Sequence, residues 1–251
     1  MSPVAIVTGA DSGIGRAAAV ALAGDGFDVG ITWFEDEEGA GETIAEVQAE
    51  GRRAEAREHD LSRLPEAADA IDDLIESLGG VDALVNNAAT GRTAAFPELE
   101  LDDWRYVLAV NLEGAFLCAQ RAARRMISQG RGGRIVNVTS VHEHLPLSTE
   151  TPYVVSKHGL GGLTKQLALE LAEQGITVNS VAPGLTATPM TDLEGVDPHT
   201  IEKPRIPLGR PADAREIASL IAWLCSAGAA YTTGASLVVD GGFLLTNPSV
   251  E

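Results

Sequence analysis

Short runs of apolar residues alternate along the chain with longer stretches in which apolar positions recur every three or four residues. The runs Val4 to Thr8, Phe27 to Thr32, Arg53 to His59, Val81 to Val85, Gly133 to Val138, Ile176 to Ala182 and Ser236 to Val239 read as strands. Helical spacing predicts helices over Ala17 to Ala23, Thr43 to Glu50, Asp102 to Ile127, Val154 to Glu173 and Ala214 to Cys225. Leu160, Leu163, Leu167 and Leu171 mark one face of the fourth helix. Strands such as Ala5-Ile6-Val7 and Ala83-Leu84-Val85 are apolar without a break, as expected where both faces of a sheet are covered. The alternation predicts one α/β domain over residues 1–251. Its doubly wound, seven-stranded parallel sheet carries helices on both faces and right-handed crossovers. The stretch from Gly184 to Ala212 shows neither pattern, carries Pro189, Pro198, Pro204, Pro207 and Pro211, and is expected to form a lid.

Charge narrows the partners. The 36 acidic residues against 18 Lys plus Arg give −18, a surface that repels nucleic acid and anionic membranes. It also disfavours an acidic carrier protein, unless Arg121, Arg124 and Arg125 gather into a basic patch. Cys118 and Cys225 fall on helical segments and match no metal-ligand spacing, so buried thiols are expected and a metal site is not. No basic-then-apolar leader precedes the first strand and no apolar run approaches the roughly 18 residues of a membrane span, so the expected location is the cytoplasm.

The first strand runs into Thr8-Gly9-Ala10-Asp11-Ser12-Gly13-Ile14-Gly15, and a helix follows. Glycines there permit a tight turn and close approach of backbone to a pyrophosphate, and the helix N-terminus supplies free N–H donors. The spacing Thr-Gly-x-x-x-Gly-x-Gly resembles the fingerprint of the short-chain dehydrogenase/reductase family, which implies a Rossmann-type fold and a nicotinamide dinucleotide. The resemblance extends to Asp60-Leu61, like the pair that meets the adenine. It includes Asn86-Asn87-Ala88-Ala89, like the family's Asn-Asn-Ala-Gly with Ala89 in place of Gly. Pro183-Gly184 with Thr188 is similar to the segment that holds the carboxamide. Members that use NAD usually carry Asp where Trp33 stands, and members that use NADP often carry a base at Phe34 or Ser12. This chain has neither. Asp11 and the run Glu35-Asp36-Glu37-Glu38 would repel a 2′-phosphate and tip the choice between NAD(H) and NADP(H) toward NAD. The run equally suits the N-terminus of the next helix.

Tyr153-Val154-Val155-Ser156-Lys157 sets a phenol and an ammonium on one helix face. A cation alongside lowers a phenol from its ordinary value near 10 toward a useful range. Lys157 is one of three lysines in the chain, so abundance does not explain its place. Ser140 ends the fifth strand, thirteen residues before Tyr153, and Asn111 lies in the long helix before that strand. These positions resemble the family's catalytic set Asn111, Ser140, Tyr153 and Lys157. The resemblance implies that Tyr153 exchanges a proton with the substrate oxygen, Ser140 orients that oxygen, and Lys157 tunes Tyr153 and holds the nicotinamide ribose. Asn111 then anchors a water leading to Lys157.

The segment Ser140-Val141-His142-Glu143, together with Ile206-Pro207-Leu208-Gly209 and Asp240-Gly241-Gly242, is most similar to bacterial glucose 1-dehydrogenases; 3-oxoacyl-carrier-protein reductases share much of the pattern. His142, Glu143 and His144 either contact a hydroxylated substrate or fix their own loop. The expected activity is interconversion of a secondary alcohol and a carbonyl on a small neutral polar molecule such as a sugar, polyol or ketone. Reduction of a 3-oxoacyl thioester is the alternative, and a nucleotide-binding regulator without catalysis is the reading from another class. Family members commonly form tetramers through the two long helices, which implies a homotetramer here.

Overall fold

In the computed structural model, which describes residues 2–246, the seven long runs form seven parallel strands of one sheet. They are β1 (Val4–Val7), β2 (Asp28–Trp33), β3 (Ala54–Glu58), β4 (Ala83–Asn86), β5 (Gly133–Val138), β6 (Ile176–Pro183) and, last in the chain, β9 (Ser236–Val239). The order across the sheet is β3-β2-β1-β4-β5-β6-β9, so the winding reverses between β1 and β4 and opens a crevice at their C-terminal ends. Successive side chains of β1 serve opposite faces. Ala5 and Val7 join one core with Leu22, Ile217 and Ile221, while Ile6 joins another with Leu74, Cys118 and Met126.

The first core is roofed by α1 (Gly13–Gly24), α2 (Glu37–Ala49) and α7 (Ala214–Cys225). The second lies under α3 (Asp69–Leu78), α5 (Ala115–Gln129) and α6 (Thr151–Leu171), with α4 (Leu101–Leu108) leading into α5. α3 is not among the helices expected from the sequence, although Ile71, Leu74, Ile75 and Leu78 have helical spacing and are all buried. Both thiols, Cys118 and Cys225, are free and buried, and burial pushes each up to about 12.

Three expectations change on folding. The stretch read as one helix, Asp102 to Ile127, is interrupted by a π-helical turn over Ala109–Gly114. Of the four leucines expected on the buried face of α6, only Leu160 lies in its buried stripe. Ser156, Lys157, Leu160, Gly161, Thr164 and Ala168 face the sheet, while Leu163, Leu167 and Leu171 flank that stripe half-buried. The segment Gly184 to Ala212 is pinned at its base by two short parallel strands, β7 (Thr186–Ala187) and β8 (Ala212–Asp213). Arg121 is paired with Asp69 and Asp72, so it contributes no free basic patch. No helix among the described residues is long and apolar enough to cross a membrane.

Candidate active site

The turn after β1 is held from β4. Thr8 Oγ1 accepts from the backbone N–H groups of Asn87 (3.0 Å) and Ala88 (3.1 Å), and Asn87 Nδ2 donates to the carbonyls of Thr8 (3.0 Å) and Gly9 (2.7 Å). Gly15 lies against this turn so closely that a Cβ there would stand 2.1 Å from the Gly9 carbonyl oxygen. Gly13 has φ +53°, a left-handed conformation that side chains disfavour, and a Cβ on it would approach Thr188 at 3.1 Å. The side chain of Ser12 makes no capping bond and the first turn of α1 carries no acidic residue. Its N–H groups and dipole therefore suit a pyrophosphate, and the close-set glycines leave room for one.

A cleft of about 320 Å³ opens over this turn. Of the positions expected to bind a dinucleotide, Gly9, Asp11, Ser12, Gly13, Ile14, Trp33, Phe34, Asp60, Leu61, Asn87, Ala88, Ala89 and Thr188 line it. Gly15 lies beneath the turn, Pro183 is buried at the end of β6, and Gly184 lines the neighbouring cavity. Ala89 has no left-handed backbone, so the absent glycine costs no strain there. The acidic run divides. Asp36 caps α2 by accepting from Gly39 N at 2.9 Å, and Glu37 and Glu38 fill the first turn of that helix. Glu35, at φ +69°, lines the cleft with Asp11, whose carboxyl is pushed up by burial and by the charge of Asp36. His59 lines the same cleft and went unremarked in the sequence.

Ser140 follows β5 and is buried, its Oγ accepting from His142 N at 3.2 Å. Tyr153 stands in the first turn of α6 and Lys157 one turn further on. Lys157 is only 2% exposed; its Nζ donates to the Val138 carbonyl at 2.9 Å and lies 5.5 Å from the centre of the Tyr153 ring. Burial brings this amine down to about 8. The phenol of Tyr153 moves the other way from the sequence expectation. Burial raises it, the Ser140 hydroxyl pulls it back, and the carboxylate of Glu150 raises it again. In the cofactor-free protein burial and the Glu150 carboxylate outweigh the pull of the Ser140 hydroxyl.

Asn111 sits in the π-helical turn and is buried. Its Nδ2 donates to Thr90 O (2.9 Å) and Ser156 Oγ (3.0 Å), and its Oδ1 accepts from Thr90 N (2.8 Å). Both amide protons are thus used to tie the helix to the strand-end segment and to α6, rather than directed at Lys157.

A second cavity, of about 940 Å³, is lined by Ser140, His142, Glu150 and Tyr153 on one side and by Leu185, Met190, Lys203, Arg205 and Ile206 of the proline-rich segment on the other. Met190 lines both hollows, so they adjoin beside it. Glu143 turns inward, accepting from Thr139 (2.7 Å), Ser236 (3.0 Å) and Ser180 (3.3 Å), and His144 meets Ser236 at 3.1 Å. These two fix their loop; His142 alone of the three lines the cavity. Its Nδ1 lies 3.0 Å from Leu145 O, which can only accept, so its Nε2 is left as an acceptor. His142 and Glu150 are near Ser140 and Tyr153 in sequence, whereas Lys203 becomes a neighbour of the centre only through folding.

The geometry has close relatives. A short-chain alcohol dehydrogenase family model described as enoyl-(acyl carrier protein) reductase matches residues 9–244. The uncharacterized oxidoreductase YohF of Escherichia coli is 54% identical over 248 residues, covering 99% of this chain and 98% of that protein. The crystal structure of acetoin dehydrogenase YohF from Salmonella typhimurium is 56% identical with a TM-score of 0.95, covering 100% of this chain and 99% of that one. Glucose 1-dehydrogenase 2 of Bacillus subtilis is 35% identical over 249 residues, covering 98% of this chain and 96% of that protein.

Proposed function

The chain belongs to the short-chain dehydrogenase/reductase family of oxidoreductases, and on that premise we propose that it is a cytoplasmic NAD-dependent enzyme acting on a small neutral α-hydroxyketone, diketone or vicinal diol. The observation that carries this reading is the position of Tyr153 and Ser140 on the cavity wall, next to a nucleotide cleft that shares Met190 with that cavity. Support for the substrate class comes from the acetoin dehydrogenase likeness, since acetoin is a four-carbon α-hydroxyketone, and from His142 and Glu150 as acceptors for its hydroxyl groups.

A bound nicotinamide supplies or accepts the hydride. In reduction, Ser140 donates a hydrogen bond to the carbonyl oxygen and Tyr153 gives that oxygen its proton. The raised phenol keeps Tyr153 protonated at neutral pH, the form that reduction requires. In oxidation Tyr153 takes the proton back, and the ammonium of Lys157 over its ring stabilises the phenolate that forms in between. Asn111 acts through position, holding Thr90 and Ser156 so that α6 presents Tyr153 and Lys157 to the junction. Asp11 and Glu35 in the cleft, with no base at Ser12 or Phe34, favour NAD over NADP by charge repulsion of the 2′-phosphate.

Lys203 and Arg205 on the cavity rim favour a second reading, reduction of an anionic oxoacyl thioester. The net charge of −18 opposes docking of an acidic carrier. Assembly as a homotetramer is supported by Phe116 of α5 and Leu169 of α6, which stand 41% and 77% exposed. Reduced-nicotinamide absorbance, read with NADH and NADPH against diacetyl, acetoin, sugars and an acetoacetyl thioester, tests the assignment. NADH with diacetyl is expected to turn over fastest. Exclusive use of the thioester with NADPH overturns it, and no turnover with any pair favours a nucleotide-binding regulator.

A further inference from the structure

The imidazole of His59 is 5% exposed, and its Nε2 is buried without a hydrogen-bond partner. Buried polar atoms of this kind are uncommon because each forfeits the bond it had to water. The other ring nitrogen is engaged: Nδ1 lies 3.0 Å from Thr32 Oγ1, which also accepts from Gly9 N at 3.3 Å. Nδ1 is the one acceptor that the Thr32 hydroxyl proton meets among the described residues, so the hydroxyl is satisfied when it donates there. The ring proton then sits on Nε2, which is a donor with nothing to receive it. Burial holds the ring down to about 4, so this donor is neutral throughout the physiological range.

His59 follows β3 directly and lines the nucleotide cleft beside Trp33, Asp60 and Leu61. Tyr153 and Ser140 lie on the other side of the α1 N-terminus, with β5 and α6. A dinucleotide whose pyrophosphate meets the α1 N-terminus and whose reacting ring meets Tyr153 must therefore send its other half toward β2 and β3. What stands there is otherwise acceptor-rich. Asp60 Oδ1 accepts from Ser62 N and Oγ, its Oδ2 pairs with Arg63 at 3.0 Å, and Glu35 is near.

We propose that His59 is a cofactor-binding residue whose Nε2–H donates a hydrogen bond to a ring nitrogen or ribose oxygen on the adenosine half of the bound dinucleotide. The inference rests on the dehydrogenase reading above. It adds a neutral donor suited to an uncharged adenosine edge rather than to a 2′-phosphate, and it links that edge through Thr32 to the glycine turn.

Direct binding separates the possibilities. His59→Asn places an acceptor where Nδ1 stood, keeping the Thr32 partner while removing Nε2; His59→Gln restores an N–H donor at the longer reach. Calorimetric titration with NADH and with 5′-AMP is expected to show His59→Asn binding both roughly 5- to 10-fold more weakly, the loss of one hydrogen bond. Binding of reduced nicotinamide mononucleotide should be unchanged, as should the Tm of the ligand-free protein, and His59→Gln should recover most of the 5′-AMP affinity. In the wild type, 5′-AMP should shift the Nε2–H resonance of His59 in a ¹⁵N-histidine spectrum. Unaltered 5′-AMP affinity in His59→Asn, an equal loss for the mononucleotide, or an Nε2–H signal indifferent to 5′-AMP overturns the proposal. A wild-type protein that binds neither NADH nor 5′-AMP overturns the dehydrogenase reading with it.

Discussion

The nucleotide cleft and the cavity beside it meet at Met190 but are built differently. Most of the cleft comes from ends of β1 to β4 and the turns that follow them, and at its floor lies the N-terminus of α1 with its free N–H groups. The cavity is walled by the loop after β5, the first turn of α6 and the segment between β7 and β8, and its chemistry lies in side chains. A surface of N–H groups at a helix end recognises what all dinucleotides share. A surface of side chains on a segment tethered at its base can vary while the sheet stays fixed. Damage to the two regions should therefore separate into loss of cofactor affinity and loss of turnover.

The largest separation is expected from Tyr153→Phe. Removing the phenolic hydroxyl should cut turnover by at least ~10²-fold while NADH affinity, read by fluorescence titration, stays near wild type. Equal loss of both would erase the distinction between the regions and remove Tyr153 from its proposed role.

Lys157 lines neither hollow but is buried one turn beyond Tyr153, and its substitution should show both in activity and in the pH dependence of stability. A lysine ordinarily titrates at 10.5 but at about 8 here, so the folded protein binds the proton less well than the unfolded chain. The cost is fully present below pH 8 and is relieved as pH rises from 8 toward 10.5. Wild-type stability should therefore rise by about 2–3 kcal/mol relative to Lys157→Met between pH 8 and 10.5, because the variant lacks the titrating amine. Turnover should fall at the same time. Denaturant titrations across pH check this; a stability difference between the two proteins that does not change over that range would contradict the account of the buried amine.

A smaller effect is expected on the cleft side. Gly13→Val must hold a branched side chain at φ +53° and against Thr188, a strain that should raise the Kd for NADH roughly tenfold. Turnover at saturating NADH should change little. A large fall in saturated turnover with unchanged Kd would show that the turn shapes the reacting centre rather than the cofactor grip.

The sequence determined what depends on neighbours along the chain. Its strand-length apolar runs and its helical spacing gave the seven parallel strands, because periodicity records which face of an element meets the core. The strand-turn-helix context of Gly9 to Gly15 and the four-residue spacing of Tyr153 and Lys157 are local in the same sense. The folded chain decided what depends on residues far apart. Asn111 is held by Thr90 and Ser156, 21 and 45 positions away, and the π-helical turn around it leaves no mark in the apolar pattern. The face that α6 turns to the sheet carries Ser156, Lys157 and Thr164 beside Leu160, while Leu163, Leu167 and Leu171 stand off it, because polar groups of the site occupy that layer. Glu143 turned inward and His59 left with a spare donor for the same reason: a side chain's partners are set by which strands lie next to each other. Tyr153 moved up rather than down because burial and the Glu150 carboxylate, which the spacing of Tyr153 and Lys157 does not record, weigh most on the proton's affinity.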